Sequence, residues 1–164
     1  MSFPDEIEAA LPALRRYARA LLRDRDAADD LVQDCLERAL SRRHLWRGEG
    51  PVRAWLYQIL LNLFRDGRRR RVTLVPLDAA PEEGRPAPKD GQLALNEVHR
   101  AMGALPEEQR AALLLVAVEG FSLAEAARLL GIAEGTLASR LARARAQLRQ
   151  LTGHGPADRK EAQR

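Results

Sequence analysis

Cysteine is almost absent from this chain. Cys35 stands alone among 164 residues, so no intrachain disulfide can form and a cysteine-based zinc site is excluded. Lysine is nearly as scarce: 25 of the 27 basic residues are arginine, Lys89 and Lys160 being the exceptions. Aromatics make up only 4%, so a core must be assembled from Leu, Ala, Ile and Val, a composition that favours helices. No stretch approaches the roughly 20 apolar residues of a membrane span. The opening Met-Ser-Phe-Pro-Asp-Glu lacks the basic end and apolar run of a signal peptide, so a cytoplasmic location without membrane insertion is expected. His44, His99 and His154 lie far apart with no ligand-like spacing. Arg47-Gly-Glu-Gly50 lacks the lysine and spacing of a phosphate loop, and no Ser, His and acid are arranged as a triad. The expectation is a protein with no catalytic residues, no metal and no cofactor.

What the chain does have is a helix-turn-helix pattern loaded with arginine. Over Ser122 to Leu148, two helices flank a Gly-centred turn. Ser122 and Glu125 stand at capping-box spacing, in which the hydroxyl accepts from a first-turn amide and the carboxylate from the Ser amide. Ala126 and Ala127 are small enough for a second helix to cross closely, and Gly131 suits the left-handed residue of a tight helix exit. Beyond the turn, Leu137, Leu141, Ala144 and Leu148 recur at helical spacing on a buried side. Thr136, Ser139, Arg140 and Arg143 lie opposite them. This is the layout of a DNA-reading helix whose N-terminal half enters the major groove. Helical bundles that never meet DNA can carry the same pattern.

Residues 5–23 pattern as an amphipathic helix through Ile7, Leu11, Leu14, Ala18 and Leu21 or Leu22. A second helix follows Asp26 as N-cap and runs to about Arg43, burying Ala28, Leu31, Val32, Cys35, Leu36, Ala39 and Leu40. After a loop over Arg42 to Gly50, Pro51 opens a third helix as its first residue. That helix buries Val52, Trp55, Leu56, Ile59, Leu60 and Leu63 and ends in the run Arg68 to Arg71. Pro76, Pro81, Gly84, Pro86 and Pro88 then break regular structure, and the segment reads as a flexible linker. Helical patterning resumes near Gln92 with Leu95, Val98 and Met102. Pro106, as first residue, opens a further helix with Glu107 and Glu108, and its apolar run Leu113 to Val118 is expected at the centre of a second core. The expected fold is all-α. Two small helical domains, 1–71 and 91–152, are joined by the linker 72–90, and a disordered tail comes last, over 153–164.

Charge is distributed unevenly. The net charge is +4, yet residues 1–40 carry −3 (six basic, nine acidic) and residues 41–71 carry +7 (nine basic, two acidic). An acidic stretch followed by a basic one suggests two different partners. Asp30, Gln33, Asp34 and Glu37 fall on one face of the second helix, as a solvated face or as a docking surface for a basic helix. In the third helix Gln58, Asn62, Arg65 and Arg69 form a line that can neutralise successive phosphates, reinforced by Arg68 to Arg71. The loop before it, with Arg43, Leu45, Trp46 and Arg47, either holds an unstacked base or uses Trp46 as an anchor on the domain.

Taken in order, these features resemble the extracytoplasmic-function group of bacterial RNA polymerase sigma factors. Asp29-Asp-Leu-Val-Gln-Asp34, then Arg53-Ala-Trp-Leu56, Asn62 and Arg65-Asp66 with trailing arginines, is similar to sigma region two. Leu105-Pro-Glu-Glu-Gln-Arg110, then Gly135-Thr-Leu-Ala-Ser-Arg140 and Arg143-Ala-Arg145, is similar to region four. The resemblance implies that Asp30, Gln33, Asp34 and Glu37 dock on the clamp helices of the largest subunit of core RNA polymerase. It assigns melting and capture of the −10 element to the loop and third helix, through Arg43, Trp46, Arg47, Asn62, Arg65, Arg68 and Arg69. It assigns the −35 element of promoter DNA to Thr136, Ser139, Arg140 and Arg143, and it implies an anti-sigma factor as a further partner. Ala138 stands where many relatives place Arg or Lys, which removes one expected −35 contact. Leu14-Arg-Arg-Tyr-Ala-Arg19, Asp34-Cys-Leu-Glu-Arg-Ala39 and Leu113-Leu-Leu-Val resemble the general-stress-response subgroup of alphaproteobacteria.

Two other classes compete with that reading. A sigma mimic would sequester an anti-sigma factor without directing transcription; such mimics usually carry a phosphoacceptor receiver domain, which does not fit in this chain, and a decoy need not keep its DNA-contacting arginines. A simple helix-turn-helix repressor would leave residues 26–71 without a role.

Overall fold

The computed structural model describes residues 2–74 and 93–153. The expected linker and tail fall almost wholly outside those residues. The described chain is helical throughout, as its composition predicts. Its first half holds α1 (Phe3–Leu22), α2 (Arg25–Ser41), a short 3-10 turn (Arg43–Leu45) and α3 (Val52–Leu74). The second half holds α4 (Leu93–Ala104), α5 (Glu107–Leu113), a π-helical turn (Leu114–Val118), α6 (Leu123–Leu130) and α7 (Glu134–Leu151).

Helix ends obey local chemistry, with some shifts from expectation. α1 begins earlier than its apolar pattern suggests, because Ser2 and Asp5 form a capping box that brings Phe3 into the core. It ends at Arg23, which takes a left-handed φ of 59°. The N-cap of α2 is therefore Asp24 rather than Asp26: its backbone is extended and its carboxylate accepts from the Ala27 amide at 3.1 Å. Asp26 instead complements the dipole within the first turn. Pro51 and Pro106 each sit one position before their helices rather than inside them. α3 continues to Leu74, three residues past the expected end. The capping box of Ser122 and Glu125 is present, and Gly131 at φ 66° closes α6 with the Ile132 amide bonded back to Ala127.

The two halves share one continuous core rather than two. Leu14, Ala18 and Leu21 of α1, Cys35 of α2 and Leu56 and Leu60 of α3 are shut off from solvent, and Leu115, Leu137 and Ala144 are their counterparts in the second half. α1 packs on α5, and α3 packs on α6. α3 is consequently buried on more sides than its periodicity predicts, with Tyr57, Leu61 and Phe64 inside as well as Leu56 and Leu60. Three apolar expectations fail, and Val98 of α4 is one of them, being exposed. Leu40 lies in the last turn of α2, beyond its neighbours, and is exposed. Val118 is also exposed, because the π turn inserts an i→i−5 bond from the Glu119 amide to Leu114. One extra residue in the turn rotates the succeeding side chains by about 100°. Val118 turns out to solvent and Glu119 turns in.

Candidate functional site

Three surfaces carry the polar residues of the sequence motifs. On the first, α2 and α3 enclose an open groove of about 720 Å³ lined by the apolar Leu31, Leu63 and Phe64 and by Arg38. Asp30, Asp34 and Glu37 line one wall and Asp66 the other. Gln33 is exposed beside them and donates to Glu37 at 3.2 Å. The stripe is thus the acidic lip of an apolar trough, a shape that suits a helix with a basic and an apolar side.

The second surface is the arginine face of the first half, and the structure divides it. Arg43 and Arg47 are exposed in the loop, Arg43 resting over the Phe3 ring at 5.1 Å. Trp46 is half-buried against Phe3, with ring centroids 5.4 Å apart, and its buried indole N–H has no acceptor among the described residues. On α3, Asn62 and Arg69 are exposed, but Arg65 and Arg68 turn toward the second half. Arg65 donates to the Leu130 carbonyl at 2.7 Å and to Leu129 at 3.3 Å, and it braces Asn62 Oδ1 at 2.7 Å. Its cation neutralises the C-terminal carbonyls of α6. Arg68 reaches Glu107 at 3.3 Å and Glu108 at 3.2 Å.

The third surface is α7. Leu137, Leu141 and Ala144 are buried, and Thr136, Ser139 and Arg143 are exposed on the opposite side. Arg140 is half-buried, 3.7 Å from Glu108. No side chain caps the N-terminus of α7, so Glu134 in the first turn complements its dipole. That gives a role to an acid otherwise out of place beside phosphate.

Between the halves lies a polar seam that periodicity does not reveal. The Glu119 carboxylate has 1% of its side chain exposed and is gripped by two arginines of the first half, Arg16 and Arg53, each at 3.2 Å. Arg53 also donates to the Glu119 carbonyl at 2.7 Å and lies over the Phe121 ring at 4.4 Å. Tyr17, Tyr57 and Phe121 form an edge-to-face column across the seam, with centroids 5.3 and 5.1 Å apart. Burial is the main cause that raises the Tyr17 and Tyr57 hydroxyls above the ordinary tyrosine pKa. Tyr17 donates to the Ala111 carbonyl at 3.0 Å. Nearby, the buried Arg110 donates to Leu21 through Nε at 2.8 Å and to Leu105 at 3.1 Å. Desolvation lowers its pKa. Arg23 reaches the His99 carbonyl, and Gly103 leaves room for its guanidinium.

The family described as Sigma2 domain of PhyR matches residues 7–61, and that described as Sigma-70, region 4, matches residues 95–148. The ECF RNA polymerase sigma factor EcfG of Rhodopseudomonas palustris (strain TIE-1) is 42% identical over 154 residues, covering 92% of this chain and 84% of the relative. The chain belongs to the ECF RNA polymerase sigma factors. It is a sigma factor that binds core RNA polymerase and directs promoter recognition and transcription initiation. Among solved structures, the sigma factor RpoE in complex with the anti-sigma factor NepR from Bartonella quintana is similar, with TM-score 0.73 and 33% identity over 91% of this chain and 95% of that one. The anti-anti-sigma factor PhyR, complexed with NepR from Bartonella quintana, shares the fold at TM-score 0.61 and 21% identity over 91% of this chain and 50% of that one.

Within this sigma factor, the groove brings Asp30, Asp34 and Glu37 together and adds Asp66, which the helical face of α2 alone does not disclose. The −10 candidates are split among the loop, the exposed side of α3 (Asn62 and Arg69) and the seam (Arg65 and Arg68). Arg16, Arg53, Arg110 and Glu119 escape sequence reasoning as a group because their partners across the seam are between 66 and 103 positions away. Arg53 and Arg110 carry a signal as members of the two family motifs, and Arg16 lies in the stretch Leu14 to Arg19 that resembles the stress-response subgroup. Among the described residues no helix is long and apolar enough to cross a membrane, and no cluster of metal ligands occurs.

Proposed function

We propose that this sigma factor divides its work among the three surfaces. The acidic trough formed by α2 and α3 receives the clamp helices of the largest polymerase subunit, through Asp30, Gln33, Asp34 and Glu37. The trough supports this assignment most directly, since acids line it together with apolar side chains of α2 and α3. Arg43, Trp46 and Arg47 in the loop, with Asn62, Arg65, Arg68 and Arg69 on α3, take the −10 element as a melted strand. The unpartnered indole N–H of Trp46 favours its inclusion, because buried donors ordinarily have acceptors. Binding to the single strand offsets unstacking, a cost of a few kcal/mol per flipped base. Thr136, Ser139, Arg140 and Arg143 read the −35 duplex from α7.

The domains are a region-two unit over 1–71 and a region-four unit over 91–152, with 72–90 between them and a tail over 153–164. The protein selects promoters rather than catalysing a reaction, and it works in the cytoplasm, where polymerase and chromosome are. An anti-sigma factor of the kind bound by the similar RpoE is its regulator.

Run-off transcription with purified core polymerase on sheared genomic DNA tests the reading. New start sites sharing a pair of upstream motifs are expected. The match of residues 7–61 to the PhyR domain favours a second reading, a mimic that only sequesters an anti-sigma factor. Core binding without any transcript would support it.

A further inference from the structure

Two of the groups that seat region four on region two, Arg65 and Arg68, are also groups assigned to promoter DNA. Arg65 is engaged by the Leu129 and Leu130 carbonyls of α6, and Gln58, one turn from Asn62, donates to Leu129 at 3.3 Å. Arg68 is held by Glu107 and Glu108 of α5. Carbonyl oxygens and carboxylates here occupy places that phosphate oxygens would take, so α3 cannot hold both region four and a DNA strand. Something else must fix the closed arrangement. Glu119 meets that need: its carboxylate is buried, and both cations that neutralise it come from region two. Closing without them would leave a buried charge unpaired, which is strongly unfavourable, whereas opening lets water solvate it.

We propose that the closed arrangement is an off state of the sigma factor, latched by Glu119 between Arg16 and Arg53, in which region four covers the −10 strand surface of α3. It rests on the assignment of Arg65 and Arg68 to promoter DNA. Opening the latch frees both arginines together, and any partner that stabilises the separated halves switches the protein on.

The test exploits a reversal of sign. Arg16→Ala combined with Arg53→Ala removes two cations, so simple electrostatics predicts weaker DNA binding. Under the latch, the same change opens the molecule and strengthens it. The expected results are a larger radius of gyration by small-angle X-ray scattering and about tenfold tighter binding of fluorescein-labelled oligothymidine by anisotropy. The log–log salt slope should steepen by about 1.4, roughly 0.7 for each of two freed cations. Arg16→Ala alone guards against a folding defect, since its side chain is 60% exposed, and it should move both readouts the same way by less. Equal or weaker binding, or an unchanged radius of gyration, overturns the latch. Run-off transcription by the unmodified chain tests the promoter-directing role by itself, so the two failures are distinguishable.

Discussion

Arg110 is the side chain on which the junction of α1, α4 and α5 turns. It is 4% exposed, and its guanidinium donates to carbonyls at the ends of two helices, Leu21 of α1 and Met102, Gly103 and Leu105 around the end of α4. Truncating it leaves those acceptors dry, and unmet buried acceptors cost about 1–3 kcal/mol each. Arg110→Ala should therefore lower stability by about 3 kcal/mol or more in urea titration, and Arg110→Lys should recover only part, since an ammonium cannot span the fork. Arg140 behaves oppositely. Its 3.7 Å contact to Glu108 is long and half-exposed, a pair that adds little to stability. Arg140→Ala should leave the urea midpoint nearly unchanged, yet weaken binding to a −35 duplex taken from a mapped promoter by about tenfold. Unaltered duplex affinity would remove Arg140 from the reading surface. Cys35, the lone thiol, is buried and donates to the Leu56 carbonyl, and burial pushes its pKa up to about 12.

Among the elements, α2 presents the clearest target. Its acidic side lines the trough while Ala28, Val32, Cys35 and Ala39 fix the helix from behind. A substitution on the exposed side should consequently spare the fold. Asp34→Arg is expected to abolish binding to core polymerase in a pull-down while leaving the circular dichroism melt within a few degrees of the unmodified chain. Retained binding would dismiss the trough as the docking site. The helices themselves were legible where local chemistry decides them. The box of Ser122 and Glu125 and the left-handed Gly131 are complete within ten residues, and both stand as expected. Asp24 and Asp26 show the limit: either can cap, and the choice fell to Asp24 because Arg23 ends α1 one residue earlier. Val118 and Glu119 show another, since one π turn exchanges an apolar residue for an acid at the core. The cross-seam contacts of Arg65, Arg110 and Glu119 were illegible because helical periodicity carries no information about partners so far along the chain.

At the level of the whole molecule, one core running through both halves predicts one unfolding transition. Trp46 and Trp55 both belong to the first half, so tryptophan fluorescence reports that half alone while far-ultraviolet circular dichroism reports all helices. The two signals should coincide in urea for the unmodified chain. With Arg16 and Arg53 replaced by alanine they should separate, each half unfolding at its own midpoint.

Glu108 is shared by Arg68 of α3 and Arg140 of α7. Under the proposed roles, Arg68 serves the −10 strand and Arg140 the −35 duplex, so DNA that takes one arginine leaves the whole carboxylate to the other. The element that arrives first therefore tightens the grip on the arginine its counterpart needs. Thermodynamic reciprocity then requires that, through this carboxylate, a −35 duplex weaken the −10 strand by the same factor as the strand weakens the duplex. One shared carboxylate and the two arginines that compete for it set the two halves of a promoter against each other, a brake that either element must overcome to follow the other.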